Sequence, residues 1–263
     1  MTQTVRPPEK NGGQVSGTQS ITRAFAVLDL FREDPGNLGV VQIAGTLGLT
    51  LSTAHRIARA LVTEGYLAQD EGRERYRLGP QALLLGQAAQ RALGMDAART
   101  ILRELANRTG ESVNLGLLAG DHVVVVERVE SPQPLRFSME VGTRVELYTT
   151  SMGKSLLAFN SDLQVYLDGL GETLVQLTPK THATTSALGD DLAEVKLQGW
   201  SSDDEESMLG VRCVAAPILD ARGRARAAIA IQAPAVRMPD ERFGALGPEV
   251  MKAAYELTRI MPL

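Results

Sequence analysis

The stretch "IAGTLGLTLSTAHRIARALVTEG", residues 43–65, constrains the fold of this chain more than any other. Two patterns of helical period meet there at one glycine. A short helix over roughly 40–47 is expected to turn Val41, Ile43, Ala44 and Leu47 inward. Gly48 then sits where a left-handed turn is wanted, and Thr50 can cap the next helix. That helix buries Ala54, Ile57, Ala58 and Leu61. At 100° per residue, Ser52, Arg56 and Arg59 fall on its opposite face, with Thr53 and His55 on the flanks. An earlier helix starts with Ser20 as a plausible N-cap, carries Ile21, Ala24, Val27, Leu28 and Phe31, and ends at "DPGN", 34–37. After the pair come "GYLAQ", a turn at Asp70–Gly72 and "RERYRLG", which together read as a β-hairpin carrying Arg73, Arg75 and Arg77.

Helix, tight turn, helix and hairpin make a winged helix-turn-helix. The N-terminal end of a recognition helix enters the major groove, so it needs small donors there and long cations for guanine edges or phosphates. Thr50, Ser52, Thr53, His55, Arg56 and Arg59 fit that need, and Arg73 and Arg75 on the wing can grip the flanking backbone or a narrow minor groove. The bland alternative is a small bundle with solvated arginines. For Leu51 and His55, packing or capping competes evenly with base contact.

Net charge, −4, argues against a polyanionic partner until the chain is divided. Residues 1–80 hold nine Lys and Arg against eight Asp and Glu, and residues 81–263 hold 18 against 23. The acidity thus belongs to the C-terminal part, and the DNA reading rests on where the arginines sit. Apolar runs such as "HVVVVERV" are too short to span a bilayer, and no secretory signal pattern precedes residue 20. One cysteine, Cys213, excludes an internal disulfide framework and suits a reducing cytoplasm. His55, His122 and His182 are scattered and do not make a zinc cluster, so neither metal nor cofactor is expected.

Residues 1–19 are polar, rich in Pro and Gly, and read as a disordered tail. Pro80 can open an unusually apolar helix, "PQALLLGQAAQRALG", through about Gly94. An α/β mixture follows: a helix over 96–109, strands "SVNLGLLA" and "HVVVVERV", a strand near 135–141, and helices from about Ser151 and near 188–198. Strands "GVRCVAAPIL" and "RARAAIAIQAP" meet at "DARG", and a last helix covers roughly 240–260.

"TTSMGKSLLAF", 149–159, imitates two enzyme signatures. A Walker A loop needs glycine five residues before Gly153, and that position is Tyr148. An S-x-x-K hydrolase would use Ser151 as nucleophile and Lys154 as base, but its S-D-N and K-T-G companions are missing from the sequence, as is G-x-S-x-G. A hydrolase using Ser151 and Lys154 is the weak alternative. The stretch still starts a helix, whose free N–H groups favour an anion or a carbonyl oxygen.

Taken together, "SITRAFAVLDLF", the helix–turn–helix stretch, "YRLGPQALLLG", "TSMGKSLLA" and "DDEESMLGVRCVAAPILDARGRARAAIAI" resemble, in order and spacing, the isocitrate-lyase-regulator (IclR) family of bacterial transcription factors. The resemblance runs from about Ser20 to Pro262. It implies an α+β chain: a tail (1–19), a winged helix-turn-helix domain (20–79), a linker and dimerisation helix (80–95) and a GAF-like effector domain with a mainly antiparallel sheet (96–263). It also implies a homodimer or dimer of dimers on pseudo-palindromic double-stranded DNA, answering to a small metabolite such as a carboxylic acid or aromatic compound. A repressor is expected, and an activator of the same architecture is the alternative. Whether helix 80–94 is a dimer surface or part of one protomer's core stays open.

By residue-to-residue match, the effector site would comprise Ser151, Met152, Asp203, Cys213, Ala230 and Gln232. A strand period of two keeps Ala228, Ala230 and Gln232 on one face. Ala230 and Gln232 stand where carboxylate-binding relatives carry two serines. This departure removes one hydroxyl and adds an amide, which points to a ligand larger or less acidic than a small keto acid. Cys213 as a plain buried residue and "DDEE" as a solvated turn are the competing readings.

Overall fold

A computed structural model describes residues 18–33, 37–70 and 75–263. The expected tail, apart from its last two residues, lies outside this range, as do Arg73 and the tip of the wing turn. The chain divides into two compact units, residues 1–88 and 89–263.

In the first unit α1 (Gln19–Glu33), α2 (Val40–Leu47) and α3 (Leu51–Thr63) surround one core, and strands β1 (Leu38–Gly39), β2 (Leu67–Gln69) and β3 (Arg75–Leu78) form a small antiparallel sheet in the order β1-β3-β2. Val27, Phe31, Ile43, Ala54, Ala58, Leu67 and Tyr76 make the core. Ser20 lies inside α1 rather than at its cap, because the helix already begins at Gln19. Gly48 adopts φ 61° and ψ 33°, and its N–H closes α2 onto the carbonyls of Ala44 and Gly45. A residue with a Cβ would be strained there. Val41 is a correction: it is exposed. It lies 200° around the helix from Ile43, and the inward face is instead Val40, Ile43, Ala44 and Leu47.

Helix α4 (Pro80–Ala92) has no buried residue, and Leu83, Leu84 and Leu85 are exposed. The second unit holds α5 (Met95–Thr109), β4 (Ser112–Ala119), β5 (His122–Val129), β6 (Arg144–Glu146), α6 (Ser151–Phe159), α7 (Gln164–Gly169), α8 (Thr185–Gln198), β7 (Ser201–Asp204), β8 (Val211–Leu219), β9 (Ala225–Pro234) and α9 (Asp240–Ile260). Its six strands form one sheet in the order β6-β5-β4-β9-β8-β7, with every adjacent pair antiparallel.

Each sheet face has its own core. Val113, Leu115, Val214, Ile229 and Ile231 pack against Leu102 and Leu105 of α5 and Val250 and Leu257 of α9. The opposite face, with Val123, Val125, Ala215, Ala228 and Ala230, packs on Met152 and Leu156 of α6 and Leu188 of α8. Burying each large aliphatic side chain contributes about 1.5–3 kcal/mol, so both helical layers are held firmly.

The strand expected near 135–141 is absent; the third strand of that end is β6, ten residues after Arg136 at its close. The Arg128 guanidinium explains this, because it takes the carbonyls of Phe137 and Met139 that a strand partner would need. Among the described residues no helix is long and apolar enough to cross a membrane.

Candidate DNA-reading face and effector site

On α3 the sequence and the structure agree about which way the polar residues point. Thr50 caps the helix: its hydroxyl oxygen accepts from the Thr53 N–H at 3.2 Å, and its own proton goes to the Thr53 hydroxyl at 2.9 Å. Ser52, His55, Arg56 and Arg59 are exposed, and Thr53 is half-buried. Leu51 is exposed too, so it does not pack within its own unit. Thr53 and Arg56 also border a groove of ≈ 790 Å³ with Phe25, Leu28 and Leu85. The wing is less open than its arginines suggest. Arg75 donates to the Asn37 carbonyl at 2.8 Å, tying β3 to the residue before β1, and Arg77 pairs with Asp70 at 3.5 Å.

In the second unit, strand register gathers residues that lie far apart in sequence. Asp203 stands opposite Cys213, Cys213 opposite Gln232, and Gln232 opposite Ser112. A parallel row runs Ser201, Ala215, Ala230, Asn114, Arg128. Directly opposed residues share a face, and so do residues two apart along a strand. Asp203, Cys213, Ala230 and Gln232 thus form one surface, on the side covered by α6. The α6 N-terminus joins it through Ser151, whose carbonyl accepts from the Ser201 hydroxyl at 2.6 Å, and Met152, which packs with Ala215 and Ala230.

All six expected effector residues are buried. Burial lifts the Asp203 carboxyl to about 6, even though it accepts hydrogen bonds from the Ser207 hydroxyl and the Glu206 and Ser207 N–H groups. Burial, reinforced by the Asp203 charge, pushes the Cys213 thiol well above its usual value, so Cys213 is a neutral thiol and a poor nucleophile.

The "SMGK" stretch has a different use from either enzyme signature. Thr150 caps α6 by accepting from the Gly153 N–H at 3.1 Å. A Cβ on Gly153 would lie 2.2 Å from the Leu147 carbonyl oxygen, so this glycine permits close packing on protein backbone. Lys154 turns inward, 1% exposed, with its ammonium 2.7 Å from Asp191 and 2.6 Å from Glu206. Burial works against that charge, but the two carboxylates outweigh it and hold the ammonium above its ordinary range. A general base must be deprotonated, so Lys154 cannot activate Ser151.

His182 completes the cluster at 2.9 Å from Asp191. His182, Asp191 and Glu206 place one ligand atom each within 4.8 Å of one another, a grouping their sequence positions did not suggest. The Lys154 ammonium already bonds both carboxylates, so a metal would have to displace it. Sequence reading also missed Asn114 and Arg128. A lone asparagine inside the apolar "SVNLGLLA" was the available signal for the first.

Residues 87–259 match the bacterial transcriptional regulator IclR C-terminal family, and residues 20–71 match the IclR helix-turn-helix domain. The chain belongs to the IclR family. It is 35% identical to the HTH-type transcriptional regulator BhcR of Paracoccus denitrificans over 258 residues, covering 96% of this chain and 92% of BhcR. With the transcriptional repressor IclR of Escherichia coli identity is 32%, covering 94% and 90%. A crystal structure of an IclR transcriptional regulator from Silicibacter sp. TM1040 superposes with a TM-score of 0.80 at 26% identity, covering 92% of this chain and 96% of that one. As an IclR-family chain it is a ligand-responsive, DNA-binding transcriptional regulator with an effector-binding domain, and not an enzyme. That removes the Ser151–Lys154 hydrolase as a reading.

Proposed function

We propose that this regulator is a repressor whose operator binding changes when a small metabolite occupies the sheet face beneath α6. Residues 20–79 read the operator, 80–95 link and dimerise, and 96–263 sense the ligand. The observation that carries this is the row Asp203–Cys213–Gln232 set beside the N-terminus of α6. Ser151 and Met152 supply free backbone N–H groups at the helix start, and Asp203, Cys213, Ala230 and Gln232 supply the floor. Ser52, Thr53, His55, Arg56 and Arg59 face the major groove, Thr50 orients them as the helix cap, and Arg73 with the remaining donors of Arg75 contributes from the wing. The three consecutive exposed leucines of α4 support a homodimer, or a dimer of dimers, on a pseudo-palindromic site. A single thiol fits work in a reducing cytoplasm.

A ligand shifts DNA affinity only through its different affinities for the two arrangements of the dimer. The test is a titration of the full-length protein against DNA from just upstream of its own gene, with competitor DNA, at two salt concentrations. Competitor-resistant binding supports the reading, and relief of that binding by a metabolite completes it. Binding that competitor abolishes in every condition, with or without metabolites, removes it.

A further inference from the structure

The sheet face contains a matched pair of unused groups. Asn114 is 1% exposed, and its Nδ2 donates to Gln232 Oε1 at 3.3 Å, while its Oδ1 has no partner. Arg128 stands directly opposite on β5, with its side chain 6% exposed. Its two terminal nitrogens are held by the carbonyls of Phe137 and Met139, but its Nε has no partner. Residues opposed across an antiparallel ladder hold their Cβ atoms about 4.5–5.5 Å apart. A residue with an unpaired buried acceptor thus stands directly opposite one with an unpaired buried donor, and each such group is costly to leave unpaired.

A bulge in β5 creates the pair. Val123 and Val125 face this side of the sheet, and strict alternation would bring Glu127 round next. The register instead shifts at Leu115/Gly116, so that Leu115 opposes Glu127 and Gly116 opposes Val125. Glu127 goes to the other face, where it bonds Arg99 of α5, and Arg128 is re-aimed to this one. Bulges beside functional sites commonly redirect a side chain in this way.

We propose that Asn114 and Arg128 form a polar subsite for a hydroxyl group of the effector, the hydroxyl accepting from Arg128 Nε–H and donating to Asn114 Oδ1. The proposal rests on reading this sheet face as the effector site. It deepens that reading by naming a ligand class and a specificity residue. Ala230 lies between Asn114 and the Asp203 row and has only a methyl group, so a ligand that displaced Met152 from this floor would reach both ends. A carboxylate at the subsite would set oxygen against Asn114 Oδ1, and an ammonium would set cation against guanidinium. A hydroxyl both gives and takes a proton, and it suits the pair. The effector class is therefore a hydroxylated small molecule.

The experiment is calorimetric titration of the full-length protein with matched probes: propionate against lactate and 3-hydroxypropionate, and benzoate against 4-hydroxybenzoate. Wild type, Asn114→Ala, Asn114→Ser and Ala230→Phe are compared. In at least one pair the hydroxylated member should bind wild type about tenfold or more tightly, since a site built to bond a hydroxyl rejects an analogue lacking it. Asn114→Ala should reduce that preference to about threefold or less, with little change for the unhydroxylated probe. Asn114→Ser, a smaller polar change, guards against a folding defect by keeping part of the preference. Equal affinity within every pair, no binding of any hydroxylated probe at millimolar concentration, or an undiminished preference in Asn114→Ala overturns the subsite. Ala230→Phe separates this from the wider reading. Binding that survives the filled floor overturns the effector site itself, whereas binding lost there without any hydroxyl preference overturns the Asn114–Arg128 subsite alone.

Discussion

Replacing Lys154 with methionine removes one cation from between a buried carboxylate, Glu206, and a half-buried one, Asp191. Asp191 and Glu206 lie 2.7 and 2.6 Å from the ammonium, and Glu206 is only 8% exposed at its side chain. Breaking a buried pair by deleting one partner costs about 3–5 kcal/mol, because the remaining charge is left uncompensated. For a unit of this size 1 kcal/mol moves Tm by roughly 2–4 °C, so the effector domain should melt about 6–20 °C lower. The loss should also depend on pH. In wild type, burial raises Asp191, but the His182 hydrogen bond and the Lys154 charge bring it below its ordinary value; burial raises Glu206, and Lys154 offsets that only in part. Without Lys154 both carboxyls rise in the folded state, and Glu206, already raised by burial, moves further above its unfolded value. The folded state then binds more protons than the unfolded state, so stability increases as pH falls. The penalty should be largest near pH 8 and shrink toward pH 5. Differential scanning calorimetry at several pH values measures it. A loss below about 1 kcal/mol that does not vary with pH would refute the reasoning, since that is how a solvent-exposed pair behaves.

Three further outcomes are expected. Gly153→Ala should destabilise the effector domain by about 3 kcal/mol, because its Cβ would meet the Leu147 backbone rather than a yielding side chain; urea unfolding checks it. The Asp203 carboxyl, raised to about 6 by burial, makes folding less favourable as pH climbs from about 4 to 6, a change of about 3 kcal/mol; Asp203→Asn should flatten that slope in urea unfolding across pH 4–8. Arg56→Ala should weaken specific operator binding by about 1–3 kcal/mol in a mobility-shift titration if the side chain reads a base edge. A uniform loss across all DNA sequences would make Arg56 a phosphate contact instead.

Local chemistry made much of the molecule legible. Gly48 and Thr50 mark the junction of α2 and α3 because a left-handed turn and an N-cap each demand particular residue types. β4 and β5 were readable to the residue, since each is an apolar run bounded by turn signals. Val41 misled because an apolar residue beside Ile43 looks like part of the same face until the wheel is drawn. Strand 135–141 misled because its carbonyls are taken by Arg128, a competitor that lies outside the segment.

The sequence by itself determined the family, the helix-turn-helix and the direction of the α3 polar face, because these rest on motif order and on periods of a few residues. Only the tertiary structure decided that Lys154 is locked between Asp191 and Glu206, that the wing arginines 75 and 77 are already engaged, and that Arg128 faces Asn114. Those facts depend on strand register and on one bulge. A single inserted residue reverses which face every later side chain occupies, and the partners that fix it lie on strands far away in the chain.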